Sequence, residues 1–395
     1  MTTVEQALAV ISQMARPFKK ETIQLDDALG RVLAENIYAD RDYPPFNRAA
    51  MDGYAVMQND WVNGIRDYHV QEVIFTAQCA KQPLVSGSCY KIMTGAATPL
   101  SANMIIRIED ALVLGNHVLL YADKIKPFQN IARKGEDCKQ GELLLKTPVK
   151  CTPQTISLMA TVGKVMLDVY QMPRVALLTT GDEVVDPAAE IGPFQIRNSN
   201  QYLLKSLLAQ WGIKPVMVEH IPDEPAALNK SLAAALNADL VIINGAVSGG
   251  DADYVPAVLT ELGVETLFHK VSIRPGKPLL VAKKPSGPLV FALPGNPLSC
   301  LTTFQVFVEH YIYRCCGYKE QPAQSLPLLT NKTKKHALTE YFPVRYEPSG
   351  SLNQLPNNGS GDIRAVVYAS GLALQHALSP QINPHELITY YPFNP

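Results

Sequence analysis

The residues best suited to chemistry cluster in Ala238–Tyr254, ADLVIINGAVSGGDADY. Gly245, Ser248 and Gly250 offer main-chain amides and a hydroxyl to an anion, since glycine lets a ligand approach the backbone. Asp251 and Asp253 follow at once. Carboxylates beside an anion cradle make sense when a cation bridges the two. Magnesium is commonly held by one or two carboxylates together with substrate phosphates. A tight strand-to-helix turn with a capping aspartate accounts equally well for this stretch read alone.

Three further loops carry the same mixture of glycine and charge. Thr179-Thr180-Gly181-Asp182-Glu183 follows an apolar run, Arg274-Pro275-Gly276-Lys277-Pro278 is basic, and Pro294-Gly295-Asn296-Pro297-Leu298-Ser299 precedes an apolar helix. Carboxylates Asp182 and Glu183, cations Arg274 and Lys277, and the Ser299 hydroxyl together suit a polyanionic ligand with magnesium. Asp223 is expected to cap a helix at a strand end, with its carboxylate still able to face the same crevice. No Walker A, G-x-S-x-G, H-E-x-x-H or post-strand G-x-G-x-x-G is present, so P-loop, serine hydrolase, zinc peptidase and dinucleotide chemistry lack support. None of the eight histidines has metal-ligand spacing, and they read as structural.

The elements that must position these loops alternate. Buried strands are expected at Val175–Leu178, Pro215–Glu219, Leu240–Ile243, Thr266–Val271 and Leu289–Leu293. Helices lie between them: one bearing Leu203 to Trp211, one from Asp223 to Asn237, one over Val255–Leu262, and a long apolar one ending near Cys316. Such alternation implies βαβ units, a mostly parallel sheet, and a ligand crevice outside the carboxyl ends of its strands. Upstream, Thr2 and Glu5 suggest a capping box for a helix carrying Val4, Leu8, Ile11 and Met14, and Asp26–Leu29 suggests a short second helix. Residues 57–135 suggest short strands with glycine and proline turns. Just before them Asp52-Gly53 reads as a turn, and within them Thr94 reads as an ordinary strand residue. Pro153 opens a helix ended by Gly163. Strands at Phe342–Glu347, Asp362–Tyr368 and Leu387–Tyr391 make a C-terminal β region.

The totals narrow the class. With 35 basic against 36 acidic residues, net charge −1, no global field favours nucleic acid or a membrane. Seven cysteines without framework spacing favour a reducing compartment, and neither a leader nor a membrane-length apolar run is read, so a cytoplasmic protein is expected.

Eight motifs then occur in order: AAMDGYAV (49–56), IMTGAATP (92–99), RKGED (133–137), TTGDEV (179–184), IPDEP (221–225), AVSGGDADY (246–254), RPGKP (274–278) and LPGNPLS (293–299). Together they closely resemble the molybdopterin molybdenumtransferase family, MoeA and the gephyrin E domain. The resemblance implies a multi-domain α/β plus β architecture. Residues 1–45 and 136–172 would form a discontinuous N-terminal domain, 46–135 an inserted β domain, 173–318 a MogA-like α/β domain, and 319–395 a C-terminal β-barrel-like domain. It implies a homodimer that takes adenylylated molybdopterin and molybdate, cleaves the adenylate with Mg2+, and yields molybdenum cofactor plus AMP. Implied partners are a MogA-type adenylyltransferase and molybdoenzyme apoproteins. Magnesium would fall to Glu183, Asp223 and Asp253, with Asp182 beside them. Gly245, Ser248, Gly250, Asp251, Arg274, Lys277, Pro294, Asn296, Pro297, Ser299, Arg345 and Ser360 would contact substrate. Asp52 and Thr94 would reach the partner subunit's pocket. The chain departs from the family in its phosphate loop, where Ala246 replaces the usual glycine, and at Arg274, where many members carry lysine. A non-catalytic molybdopterin-binding scaffold is the alternative, with a nucleotide pyrophosphatase behind it.

Overall fold

The computed structural model describes residues 1–122, 125–247, 254–362 and 364–393. The chain divides into two compact units, one formed by residues 1–34, 147–152 and 167–395, the other by 35–146 and 153–166.

The first unit is built on a six-stranded sheet ordered Met217–Ile221, Val175–Thr180, Leu240–Asn244, Leu289–Leu293, Leu280–Lys283 and Glu265–His269. The first four strands run parallel, Leu280–Lys283 runs against both of its neighbours, and Glu265–His269 again points the way of the first four. Val175–Thr180, Leu240–Asn244 and Leu289–Leu293 are buried along their whole length because helices cover both faces. Alternate residues serve the two layers. Val175, Leu177, Leu240, Ile242, Phe291 and Leu293 pack with the Ser199–Ala209 helix and the helix that begins at Pro297. Ala176, Leu178, Val241, Ile243 and Ala292 pack with helices Pro225–Ala235 and Val255–Glu261. The strand Leu280–Lys283 escapes the sequence pattern, since its short run emerges directly from the basic turn before it.

The helix starting at Pro297 continues to Cys315, but its middle turn, Phe304–Val308, is π-helical. A second sheet of the same unit runs Ile273–Arg274, Thr339–Glu347, Gly371–Gln375, Leu387–Pro392 and Gln324–Pro327, with Ser351–Gln354 beside Thr339–Glu347. Near the chain start, Lys20–Gln24, Met166–Tyr170, Val32–Leu33 and Val149–Lys150 form a four-stranded sheet.

Several local expectations change. The capping box of helix Val4–Met14 uses Thr3 and Gln6 rather than Thr2 and Glu5. Thr2 is already committed to backbone pairing with residues 270–272. Asp26–Leu29 is replaced by a single 3-10 turn, Leu25–Asp27. Asp223 is not a helix cap: Glu224 holds that position, ahead of Pro225 in the first turn. The strand expected at Asp362–Tyr368 is absent from its described residues, since 365–368 form turns and the strand begins at Gly371.

The second unit centres on a six-stranded sheet ordered Met104–Arg107, Gly53–Val56, Ser88–Ile92, Asp67–Ile74, His117–Leu120 and Ala111–Leu114. Gly53 lies in the middle of this packing rather than in a turn. A Cβ there would sit 2.1 Å from the Ile106 carbonyl oxygen on the neighbouring strand. The same unit carries a short helix, Gln58–Val62, that the sequence pattern does not announce. Its other helix, Pro153–Thr161, is the one expected from Pro153.

Candidate active site

Strand register brings the loops together. Thr180 pairs with Ile221, Thr179 with Asn244, and Asn244 with Leu293, so the parallel strands end side by side. Beyond those ends lies a crevice of about 1410 Å³. Its walls include Glu183, Asp223, Gly245, Arg274, Lys277 and Ser299.

The carboxylate side is a β-turn. The Val184 N–H donates to the Gly181 carbonyl at 3.1 Å, which places Asp182 and Glu183 at the two central positions. Gly181 adopts φ +130°, and an added Cβ would meet Glu183 Oε2 at 2.9 Å, so the Glu183 carboxylate rests against the glycine Cα. Asp182 Oδ1 accepts the Asp223 N–H at 3.0 Å. Burial pushes the Asp223 carboxyl up, and the negative charges of Asp182 and Glu183 add to that shift. A cation between Glu183 and Asp223 would relieve this repulsion. These two donors fit magnesium, which completes its shell with water and phosphate oxygens. Among the described residues no cluster of three or more His, Cys, Asp or Glu side chains is arranged to hold a metal.

The cationic side comes from a different sheet. Ile273 and Arg274 pair in parallel with Thr339 and Glu340, which fixes where the basic turn leaves the strand. Gly276, at φ +109°, lets the turn press against Thr303, whose Cγ2 would lie 2.5 Å from an added Cβ. Among the described residues neither Arg274 nor Lys277 has a carboxylate partner, so both charges are available to an anion. Ser299 is buried in the first turn of the helix behind them. Asn296 donates to Ser360 Oγ at 2.8 Å instead of capping that helix, while the Ser360 carbonyl accepts the Leu298 N–H at 3.0 Å.

Side-chain amides lock the strand ends. Asn200 Nδ2 donates to Asn244 Oδ1 at 2.9 Å and to the Gly295 carbonyl at 2.6 Å, and Asn244 Nδ2 donates to the Pro294 carbonyl at 2.8 Å. Gly245, at φ +107°, packs so closely on Thr180 that an added Cβ would lie 2.6 Å from its Oγ1 and 2.9 Å from its carbonyl oxygen. Ala246 holds a left-handed φ of +50°.

The crevice thus gathers Glu183, Asp223, Gly245, Arg274, Lys277, Pro294, Asn296, Pro297, Ser299 and Ser360, with Asp182 one bond behind. Arg345 is not among its walls, and its guanidinium is held by Glu347 at 2.9 Å. Ser248, Gly250, Asp251 and Asp253 lie outside the described residues. Asp52 and Thr94 belong to the second unit, where Asp52 Oδ1 accepts both the Thr94 N–H (2.6 Å) and its hydroxyl (2.7 Å). Those two bonds, the hydroxyl's first, hold the Asp52 carboxyl below the usual range. In sequence Asn198 and Asn200 belong to the run 197–200 expected to cap a helix, which Asn198 does, but no site role is legible there for them, for Asn244 or for His220. The available signal was the run Asn198-Ser199-Asn200, which has more amide than one helix cap requires.

Cations unpaired among the described residues line one crevice with Glu183 and Asp223 at the carboxyl edge of a sheet, in a multi-domain α/β plus β architecture. Residues 2–163 match the family described as "MoeA N-terminal region (domain I and II)", and residues 176–314 match "Probable molybdopterin binding domain". A Synechococcus elongatus protein named molybdopterin molybdenumtransferase is 34% identical over 94% of this chain and 93% of its own length. A protein of the same name from Haemophilus influenzae is 30% identical over 100% and 99% respectively. The chain belongs to the molybdopterin molybdenumtransferase (MoeA) family, a family of transferases. Among solved structures, the molybdopterin biosynthesis MoeA protein of Pyrococcus horikoshii OT3 superposes with a TM-score of 0.82 at 27% identity, covering 99% of this chain and 100% of that one.

Proposed function

We propose that this protein makes molybdenum cofactor by inserting molybdate into adenylylated molybdopterin, with magnesium-dependent release of AMP. The observation that carries this reading is that Arg274 and Lys277, without carboxylate partners among the described residues, line one crevice with Glu183 and Asp223. Molybdate is a small dianion, so two free cations and the Ser299 hydroxyl suit it. Glu183 and Asp223 would hold magnesium together with Asp253. The ion, when bound, would neutralise charge on the adenylate phosphates as the P–O bond breaks. Gly245 and Gly295 leave the main chain open to the phosphate, while Pro294, Asn296 and Pro297 shape the wall beside it. No covalent nucleophile from the protein is required.

The same reading assigns Ser248, Gly250 and Asp251 to substrate, keeps Arg345 and Ser360 as further oxyanion contacts, and gives Asp52 and Thr94 to the pocket of the partner subunit in a homodimer. It divides the chain into 1–45 with 136–172, 46–135, 173–318 and 319–395. A cytoplasmic location is in keeping with seven cysteines that are all unpaired.

The test is AMP release from adenylylated molybdopterin by the purified protein with magnesium, with and without molybdate. Release that requires molybdate and collapses in Asp253→Ala and Glu183→Gln supports the transferase. Release that ignores molybdate identifies a pyrophosphatase. The strained Ala246 favours a carrier as the second reading, and binding without AMP release would establish it.

A further inference from the structure

A chain of four side-chain and backbone groups runs from the start of a helix to the carboxylate turn. Asn198, the cap of helix Ser199–Ala209, accepts the Gln201 N–H on Oδ1 at 3.2 Å and donates through Nδ2 to Thr179 Oγ1 at 2.9 Å. Thr179 Oγ1 lies 3.0 Å from His220 Nδ1, and His220 Nε2 lies 3.1 Å from the Gly181 carbonyl oxygen. A carbonyl only accepts, so Nε2 carries the proton. In the neutral ring Nδ1 is then the acceptor, and it takes the Thr179 hydroxyl. Every donor meets an acceptor.

We infer that His220 is a positioning residue for the metal-binding carboxylate turn, acting through the Gly181 carbonyl. The Val184 N–H already closes the turn on that same oxygen. Losing His220 therefore leaves the turn closed but releases the Gly181 peptide plane. Gly181 sits at φ +130° with the Glu183 carboxylate against its Cα, so rotation of that plane redirects Glu183. His220 stands on the edge strand Met217–Ile221, three residues before Asp223, and thereby fixes the spacing between the two carboxylates that would share the ion. The inference rests on the magnesium reading above.

Asparagine and glutamine separate the roles of the two ring nitrogens. The amide of Asn reaches about as far as Nδ1 and that of Gln about as far as Nε2, so His220→Gln can keep the donation to Gly181 and His220→Asn cannot. Manganese binding, read by electron paramagnetic resonance in the presence of AMP, serves as the probe, with thermal unfolding as the check on folding. The expected result is manganese affinity weakened about fivefold in His220→Asn, the worth of one partly exposed hydrogen bond, and restored in His220→Gln at unchanged melting temperature. Equal affinity in wild type and His220→Asn overturns the positioning role, as does equal weakening in both variants. If wild type binds no manganese, or Glu183→Gln binds it as tightly as wild type, the carboxylate site itself falls and the inference falls with it.

Discussion

Replacing Gly245 by alanine drives a methyl group into the strand next door. The new Cβ would lie 2.6 Å from Thr180 Oγ1 and 2.9 Å from the Thr180 carbonyl oxygen. The hydroxyl can rotate away, but the carbonyl belongs to a strand paired on both sides and cannot. Backbone at φ +107° costs a side-chain-bearing residue about 1–3 kcal/mol. Overpacking costs a similar ~1–3 kcal/mol, and one shift partly relieves both, so a net loss of about 3 kcal/mol is expected. By the usual scaling this lowers the melting temperature of the α/β unit by roughly 5–10 °C. Relief requires the glycine to move away from Thr180 into the crevice, so AMP affinity should fall at the same time. Thermal unfolding followed by circular dichroism, with calorimetric AMP titration, measures both effects. Thr180 Oγ1 is buried with no partner among the described residues, so Thr180→Ala should be nearly neutral alone and should recover ~1 kcal/mol in the double variant. A Gly245→Ala protein within about 0.5 kcal/mol of wild type, the range of an inert surface change, and binding AMP normally would refute the close-approach argument.

The neighbouring position should respond in the opposite sense. Ala246→Gly removes left-handed strain of ~1–2 kcal/mol against an unfolded-chain entropy cost of ~0.4–1 kcal/mol. Denaturant titration should therefore find it equal to wild type or slightly more stable. Glu309 and His310 form a compensating pair. Burial raises Glu309 from 4.5 to about 7 and lowers His310 from 6.5 to about 4. A raised folded value means stability is lost as pH climbs from 4.5 through about 7; a lowered one means it is lost as pH falls from 6.5 through about 4. Between 4.5 and 6.5 the slopes cancel, so wild-type stability should be flat there, falling with pH in His310→Gln and rising with pH in Glu309→Gln. Chemical denaturation across that window decides it. Gly53→Ala should cost at least ~3 kcal/mol by overpacking against the Ile106 carbonyl. It should expose Trp61 in the second unit before Trp211 in the first, which fluorescence of single-tryptophan variants can separate.

What the sequence made legible follows from periodicity. Runs such as Leu240–Ile243 are apolar at every position because both faces are covered, and the strands and their trailing loops were placed from that alone. Loop chemistry was legible for the same reason: glycine and charge at strand ends have few other uses. The capping assignment at Asp223 failed because proline in the first turn moved the cap one residue on, to Glu224. That shift leaves the Asp223 carboxylate free to line the crevice. Asp362–Tyr368 has strand-like composition, yet its residues 365–368 form turns, so local propensity did not decide the outcome. The amide locks and the His220 chain span residues 19 to 95 apart in sequence, and no spacing rule connects them.

The π-helical turn at Phe304–Val308 makes the length of its helix a constraint as strict as any side chain. Each residue of an α-helix turns the chain by about 100°. That turn is already widened by one residue, so one more residue inserted there could not be absorbed and would swing residues 309–315 through about 100°. Glu309 would leave Trp211 and Gln321, and His310 would leave Ser12. Meanwhile Ser299 and Thr303, before the turn, would stay in register with the crevice. Across descendants of this gene, that stretch should accept exchanges of one residue for another far more readily than a codon gained.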